Sequence, residues 1–185
     1  MNLPNKLTIL RTVMIPFFLV ALYFQEQIPY GKWVALFLFV GASFTDYLDG
    51  YLARKWNIIT NFGKFMDPLA DKLLVCSALI AFVDLGRLQG WVVICIIARE
   101  FIISGFRLVA SDNGVVIAAS YYGKFKTVAQ MILTILLIAD LGKEIVVFHF
   151  LEVAFVYISL ILTIVSLVDY VYKNRTVMSE GNERK

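Results

Sequence analysis

Six long apolar runs follow one another along this chain, and they leave few folds open. They are roughly Leu7–Phe24, Lys32–Leu52, Pro68–Leu85, Trp91–Ala110, Gly123–Leu141 and Ile145–Tyr172. A hydrocarbon core about 30 Å thick needs about 20 helical residues to cross it. Inside lipid the backbone must satisfy its own hydrogen bonds, so runs of this kind are read as helices. The expected fold is all-α: a polytopic membrane protein with six transmembrane helices. The chain has 185 residues, 60% of them apolar, and a mean hydropathy of +0.78. Soluble domains hold about 45–50% apolar residues, which argues against a globular domain on a single anchor. One domain over residues 1–185 is expected, with Thr176–Lys185 as a loose polar tail. Lys6 and Arg11 lead into the first run as in a signal peptide, but the run ends A-L-Y-F-Q-E-Q with no small-x-small site. It is read as an uncleaved first span.

Charge placement sets the expected orientation. Lys6 and Arg11 lie at the N-terminus, and Arg54, Lys55 and Lys64 lie between the second and third runs. Arg107, Lys124 and Lys126 flank the fourth-to-fifth connection, and Lys173, Arg175, Arg184 and Lys185 follow the sixth run. These twelve share one side, whereas the other side holds only Lys32, Arg87 and Lys143. The positive-inside rule then puts both termini in the cytoplasm. The net charge of +3 says little by itself, and no nucleic-acid partner is expected. Cys76 and Cys95 lie in apolar runs without ligand spacing and read as reduced packing residues. His149 falls on the outer side. The sequon at Asn174 falls on the cytoplasmic side and is read as chance.

Four aspartates break the apolar pattern where the second run ends and the third begins. The stretch reads D46-Y-L-D49-G50-Y-L-A53-R54, then eight residues, then G63-K-F-M-D67-P-L-A-D71. Carboxylates in a membrane segment are costly and mark function by default. Asp46 and Asp49 are three apart, and Asp67 and Asp71 are four apart, so each pair shares a helix face. Antiparallel neighbouring helices would bring the pairs together at the cytoplasmic end. Four carboxylates this close would not all stay ionised unaided. Two Mg²⁺ or Mn²⁺ ions would balance them, and oxygen ligands without Cys or His argue against zinc. A two-metal pair can clamp a phosphate under attack. Gly50 and Ala53 leave room for a close approach, and Arg54 can fork onto phosphate oxygens.

This pattern resembles the signature of the CDP-alcohol phosphotransferases, D-x-x-D-G-x-x-A-R-x(8)-G-x-x-x-D-x-x-x-D. Asp46, Asp49, Gly50, Ala53, Arg54, Gly63, Asp67 and Asp71 match every fixed position. The resemblance implies a homodimeric integral membrane enzyme that transfers a substituted phosphate from a CDP-linked donor to an alcohol and releases CMP. It implies that Asp46, Asp49, Asp67 and Asp71 hold two metals and that Asp71 is also the base. It places the CDP group at Gly50, Ala53 and Arg54.

The acceptor has to be read from the remaining polar residues. Arg99 lies inside the fourth run, and Arg107 lies eight residues later, about 80° away around a helix. With G123-K124-F125-K126-T127 they suggest an electropositive pocket for an acceptor that itself carries phosphate. A98-R99-E100, G-K-x-K-T and L3-P4-N5-K6-L7-T8-x-x-R11 resemble the bacterial phosphatidylglycerophosphate synthase branch of the family. That branch implies CDP-diacylglycerol as donor and glycerol 3-phosphate as acceptor, with an active site on the cytoplasmic face of the cell membrane. Arg99, Arg107, Lys124, Lys126 and Arg11 are then the candidate acceptor-binding residues. Alternatives stay open for each. Lys124 and Lys126 can serve topology alone, Arg99 can pair with Glu100 or a neighbouring helix, and Arg11 can snorkel to headgroups. Glu100 is read as an orienting partner, not a catalyst. Other readings are an inositol-phosphate acceptor, phosphatidylglycerol as acceptor in cardiolipin synthesis, or a divalent-cation transport path. Transport would spread carboxylates through the membrane depth, not gather them at one face.

Overall fold

The computed structural model describes residues 3–56, 61–112, 120–143 and 145–174, with side chains at 6–45, 69, 70, 72–111, 120–143 and 145–174. Among the described residues it is all helix. The order is α1 (Leu3–Tyr23), α2 (Gly31–Trp56), α3 (Asn61–Asp84), α4 (Gly90–Asp112), α5 (Tyr121–Ala139), a 3₁₀ turn at Leu141–Lys143 and α6 (Val146–Lys173). Each of the six apolar runs corresponds to one helix. The third helix starts seven residues before the run read from sequence, because α3 continues through the polar stretch around Asp67.

Among the described residues three stretches are long and apolar enough to cross a membrane: Lys6–Tyr23, Tyr121–Ala139 and Val146–Lys173. A shorter apolar stretch covers Gly31–Thr45 of α2. Large apolar side chains face outward on every helix. Phe37, Ile94 and Phe150 are 76%, 68% and 68% exposed. In water such a surface would be an association hazard; against lipid tails it is the outer coat the protein needs.

The chain divides into two compact units. The first holds α1, α2, α3, residues 85–88 and residues 137–140. In this unit α1 packs against α2 and α3, and α2 touches α3. The buried face of α1 runs Thr8, Arg11, Ile15, Phe18 and Leu22, three to four residues apart. Ala35, Phe39 and Ala42 of α2 and Ala70, Leu74, Ala78 and Ala81 of α3 are buried likewise. Small residues let membrane helices approach closely where no hydrophobic force drives them together. Phe18 and Phe39 meet at 5.6 Å between ring centroids, tilted by 46°.

Two polar devices hold the ends of this unit. Before α2, Tyr30 takes a left-handed φ of 58°. A Cβ on the adjacent Gly31 would stand 2.6 Å from the Cα of Gln25, so the turn closes only around glycine. After α3, Arg87 donates from Nη1 to the Leu137 carbonyl at 2.6 Å and from Nη2 to Asp140 Oδ2 at 2.9 Å. The first bond satisfies a carbonyl in the last turn of α5, which the helix itself leaves open.

The second unit holds α4, most of α5, the 3₁₀ turn and α6. Here α4 packs against α6. The buried face of α6 is Ser159, Leu160, Thr163, Ser166 and Tyr170. Four of the five carry hydroxyl groups, on a helix whose outer face is Val, Ile, Leu, Phe and Tyr.

Candidate active site

Asp46, Asp49, Gly50, Ala53 and Arg54 all fall within α2, and Asp67 and Asp71 fall within α3. Helical backbone at both sets gives the 3- and 4-residue spacings the meaning assigned to them, a shared helix face for each pair. Their side chains lie outside the described residues, as do the placements expected for Lys55 and Lys64. Four aspartates with no Cys or His between them in the sequence make a hard-oxygen donor set, which suits Mg²⁺ or Mn²⁺ in its chemistry.

The second unit assembles a charged cluster from three helices. Arg99 on α4 is 7% exposed and Lys126 on α5 is 2% exposed. Between them, Glu100 accepts on one oxygen, Oε1, from Arg99 Nη1 at 2.9 Å and from Lys126 Nζ. Arg99 Nε donates to Ser166 Oγ of α6 at 3.0 Å. Ser166 in turn donates to the Thr163 carbonyl at 3.0 Å. Buried charges persist in a membrane protein only when paired in this way. The pairing of Arg99 with Glu100, left open in the sequence, is therefore real, and it also captures Lys126.

The other acceptor candidates sit differently. Arg107 is exposed, with its guanidinium carbon 5.9 Å from the Tyr170 ring centroid on α6. Arg99 and Arg107 thus both reach α6, one turn apart at Ser166 and Tyr170. Lys124 is exposed and lies over the Tyr121 ring at 5.9 Å. Arg11 lies in the first unit and is fully buried, at 0% exposed. Snorkelling to headgroups is thereby ruled out for it.

The first turn of α5 adds a further feature. Ser120 Oγ accepts from the Gly123 N–H at 3.1 Å, a side-chain cap at the start of the helix. Gly123 faces Arg99: a Cβ built there would lie 3.1 Å from Arg99 Nη2 and 3.3 Å from Ser120 Oγ.

A family model described as CDP-alcohol phosphatidyltransferase matches residues 1–165. The chain belongs to the CDP-alcohol phosphatidyltransferase family. It is similar to the CDP-diacylglycerol–glycerol-3-phosphate 3-phosphatidyltransferase of Bacillus subtilis, 43% identical over 192 residues, covering 98% of this chain and 99% of that relative. Relatives of the same name from Rickettsia bellii and Haemophilus influenzae are 38% and 40% identical, over 91% of this chain and 93% and 91% of theirs. The resemblance carried by the aspartate signature and membership of the CDP-alcohol phosphatidyltransferase family agree.

Sequence reasoning missed Ser166 and the facing position of Gly123. Ser166 had a signal: Ser159, Thr163, Ser166 and Tyr170 recur at 4, 3 and 4 residues on an otherwise apolar helix.

Proposed function

We propose that this protein transfers the phosphatidyl group of CDP-diacylglycerol to sn-glycerol 3-phosphate, giving phosphatidylglycerophosphate and CMP. The observation that carries the reading is the unbroken D-x-x-D-G-x-x-A-R…G-x-x-x-D-x-x-x-D spacing on two consecutive helices of a chain similar over its length to enzymes named for this reaction.

In this reading the chain crosses the cell membrane six times with both termini in the cytoplasm, and two copies form a homodimer. Gly50, Ala53 and Arg54 receive the CDP group. Asp46, Asp49, Asp67 and Asp71 would hold two divalent ions, Mg²⁺ or Mn²⁺, which supply charge neutralisation and polarise phosphate oxygens when bound. Asp71 takes the proton from the acceptor hydroxyl. The hydroxyl oxygen attacks the phosphorus that bears diacylglycerol, the pyrophosphate bond breaks, and CMP leaves with the electron pair. Arg99 and Lys126 bind the acceptor's phosphate, with Arg107, Lys124 and Arg11 in supporting contacts. Buried cations suit a phosphorylated acceptor, since an uncharged alcohol offers them nothing.

The test is CMP release by purified protein given CDP-diacylglycerol and a panel of acceptors. Glycerol 3-phosphate should be used best and glycerol poorly. Chelation should abolish turnover, and Mg²⁺ or Mn²⁺ should restore it. Better use of inositol phosphate or phosphatidylglycerol would overturn the acceptor. Full activity in excess chelator would overturn the metal requirement.

A further inference from the structure

Arg99 is held at two of its three nitrogens. Nε is tied to Ser166 on α6, and Nη1 is tied to Glu100 beside it on α4. Among the described residues Nη2 makes no hydrogen bond, although the residue is 7% exposed. A guanidinium carries five N–H donors in one rigid plane, so fixing Nε and Nη1 fixes where Nη2 points. It points at Gly123, in the first turn of α5, where a side chain would begin 3.1 Å away.

We propose that Ser166 and Gly123 are positioning residues for the acceptor's phosphate. Ser166 locks the Arg99 plane from α6, and Gly123, having no Cβ, gives Nη2 the clearance that this pose needs. The inference rests on the reading above, that Arg99 binds the phosphate of the acceptor. Ser166 is suited to the task because its hydroxyl accepts from Nε while donating to the Thr163 carbonyl, which fixes its own rotor. Neither residue touches the reacting atoms in this proposal; both act through Arg99.

The experiment is steady-state CMP release by the full chain, varying glycerol 3-phosphate and CDP-diacylglycerol separately, for Ser166→Ala, Ser166→Thr, Gly123→Ala, Arg99→Lys and the double variant Ser166→Ala/Arg99→Lys. Ser166→Ala and Gly123→Ala should each raise the KM for glycerol 3-phosphate about tenfold without raising that for CDP-diacylglycerol. Ser166→Thr keeps the hydroxyl and should recover most of the loss. Lysine at position 99 has no Nε to hold, so adding Ser166→Ala to Arg99→Lys should raise the acceptor KM less than about twofold further. A merely structural serine would give additive effects in this cycle, and that result overturns the proposal. So does a rise confined to the donor KM. If the wild type prefers another phosphorylated acceptor, the proposed reaction falls, and the same cycle run with that acceptor decides the positioning role. If the wild type uses only unphosphorylated alcohols, both fall.

Discussion

Glu100 receives two cations on a single carboxylate oxygen, so the charges at Arg99, Glu100 and Lys126 form one network. Substitutions within it should not act independently. Arg99→Ala should raise the KM for glycerol 3-phosphate about 10- to 100-fold, the scale of a lost charged hydrogen bond. Arg99→Lys should be impaired too, because the three donors of an ammonium sit on one nitrogen and cannot take the spread, coplanar positions of Nε, Nη1 and Nη2. Kinetics with each substrate varied in turn checks both. An unchanged acceptor KM for Arg99→Ala would remove the residue from the acceptor site. Asp71→Asn keeps the shape of the side chain but loses the proposed base, and kcat should drop about 10²–10⁴-fold. Donor binding, followed by equilibrium retention of labelled CDP-diacylglycerol, should persist. Near-normal kcat in that variant would exclude Asp71 as the base.

At the level of the element, the helices owe their ends to specific chemistry and their middles to lipid. Nothing in the apolar middle of α5 says where it stops; Arg87 supplies that by binding the Leu137 carbonyl and Asp140 together. The pair is largely buried, with side chains 10% and 17% exposed, so solvent screens it little. Arg87→Ala should cost about 2 kcal/mol and lower the thermal midpoint in detergent by about 5 °C. Acceptor and donor KM should not move, which separates a stability effect from a site effect. Gly31→Ala should destabilise as well, since its Cβ would collide with main-chain atoms of Gln25 and not with a flexible tip. The start of α3 shows why helix ends are hard to read from apolar patterning: the helix continues from Asn61 through residues too polar for the hydropathy criterion. Those are also the residues the aspartate signature needs in helical register.

For the whole molecule, the proposed orientation rests on the basic residues, and thiol labelling can check it in intact cells. In a chain carrying Cys76→Ala and Cys95→Ala, Lys143→Cys should react with an impermeant reagent from outside. Ser179→Cys should react only after the membrane is opened. The reverse pattern would invert the topology and move the aspartates to the wrong face for cytoplasmic substrates. Amino-acid order alone determined a great deal here. Apolar length dictates helices because lipid offers the backbone no partner. The signature aspartates are legible because their spacing is local, three and four residues on one helix, and needs no knowledge of neighbours. The charged network proposed to bind the acceptor was legible only in part. Arg99 and Lys126 announced themselves as charges in apolar runs, yet which of the five basic candidates share a network depends on contacts between helices far apart in sequence. Ser166 lies 67 residues from Arg99, and its hydroxyl could equally have bonded only its own helix. Gly123 reads as an ordinary helix start until Arg99 is placed opposite it. Packing of α4 against α6 and the placement of the first turn of α5 decided these partners, because a hydrogen bond requires its donor and acceptor within about 3 Å and no sequence spacing encodes that distance.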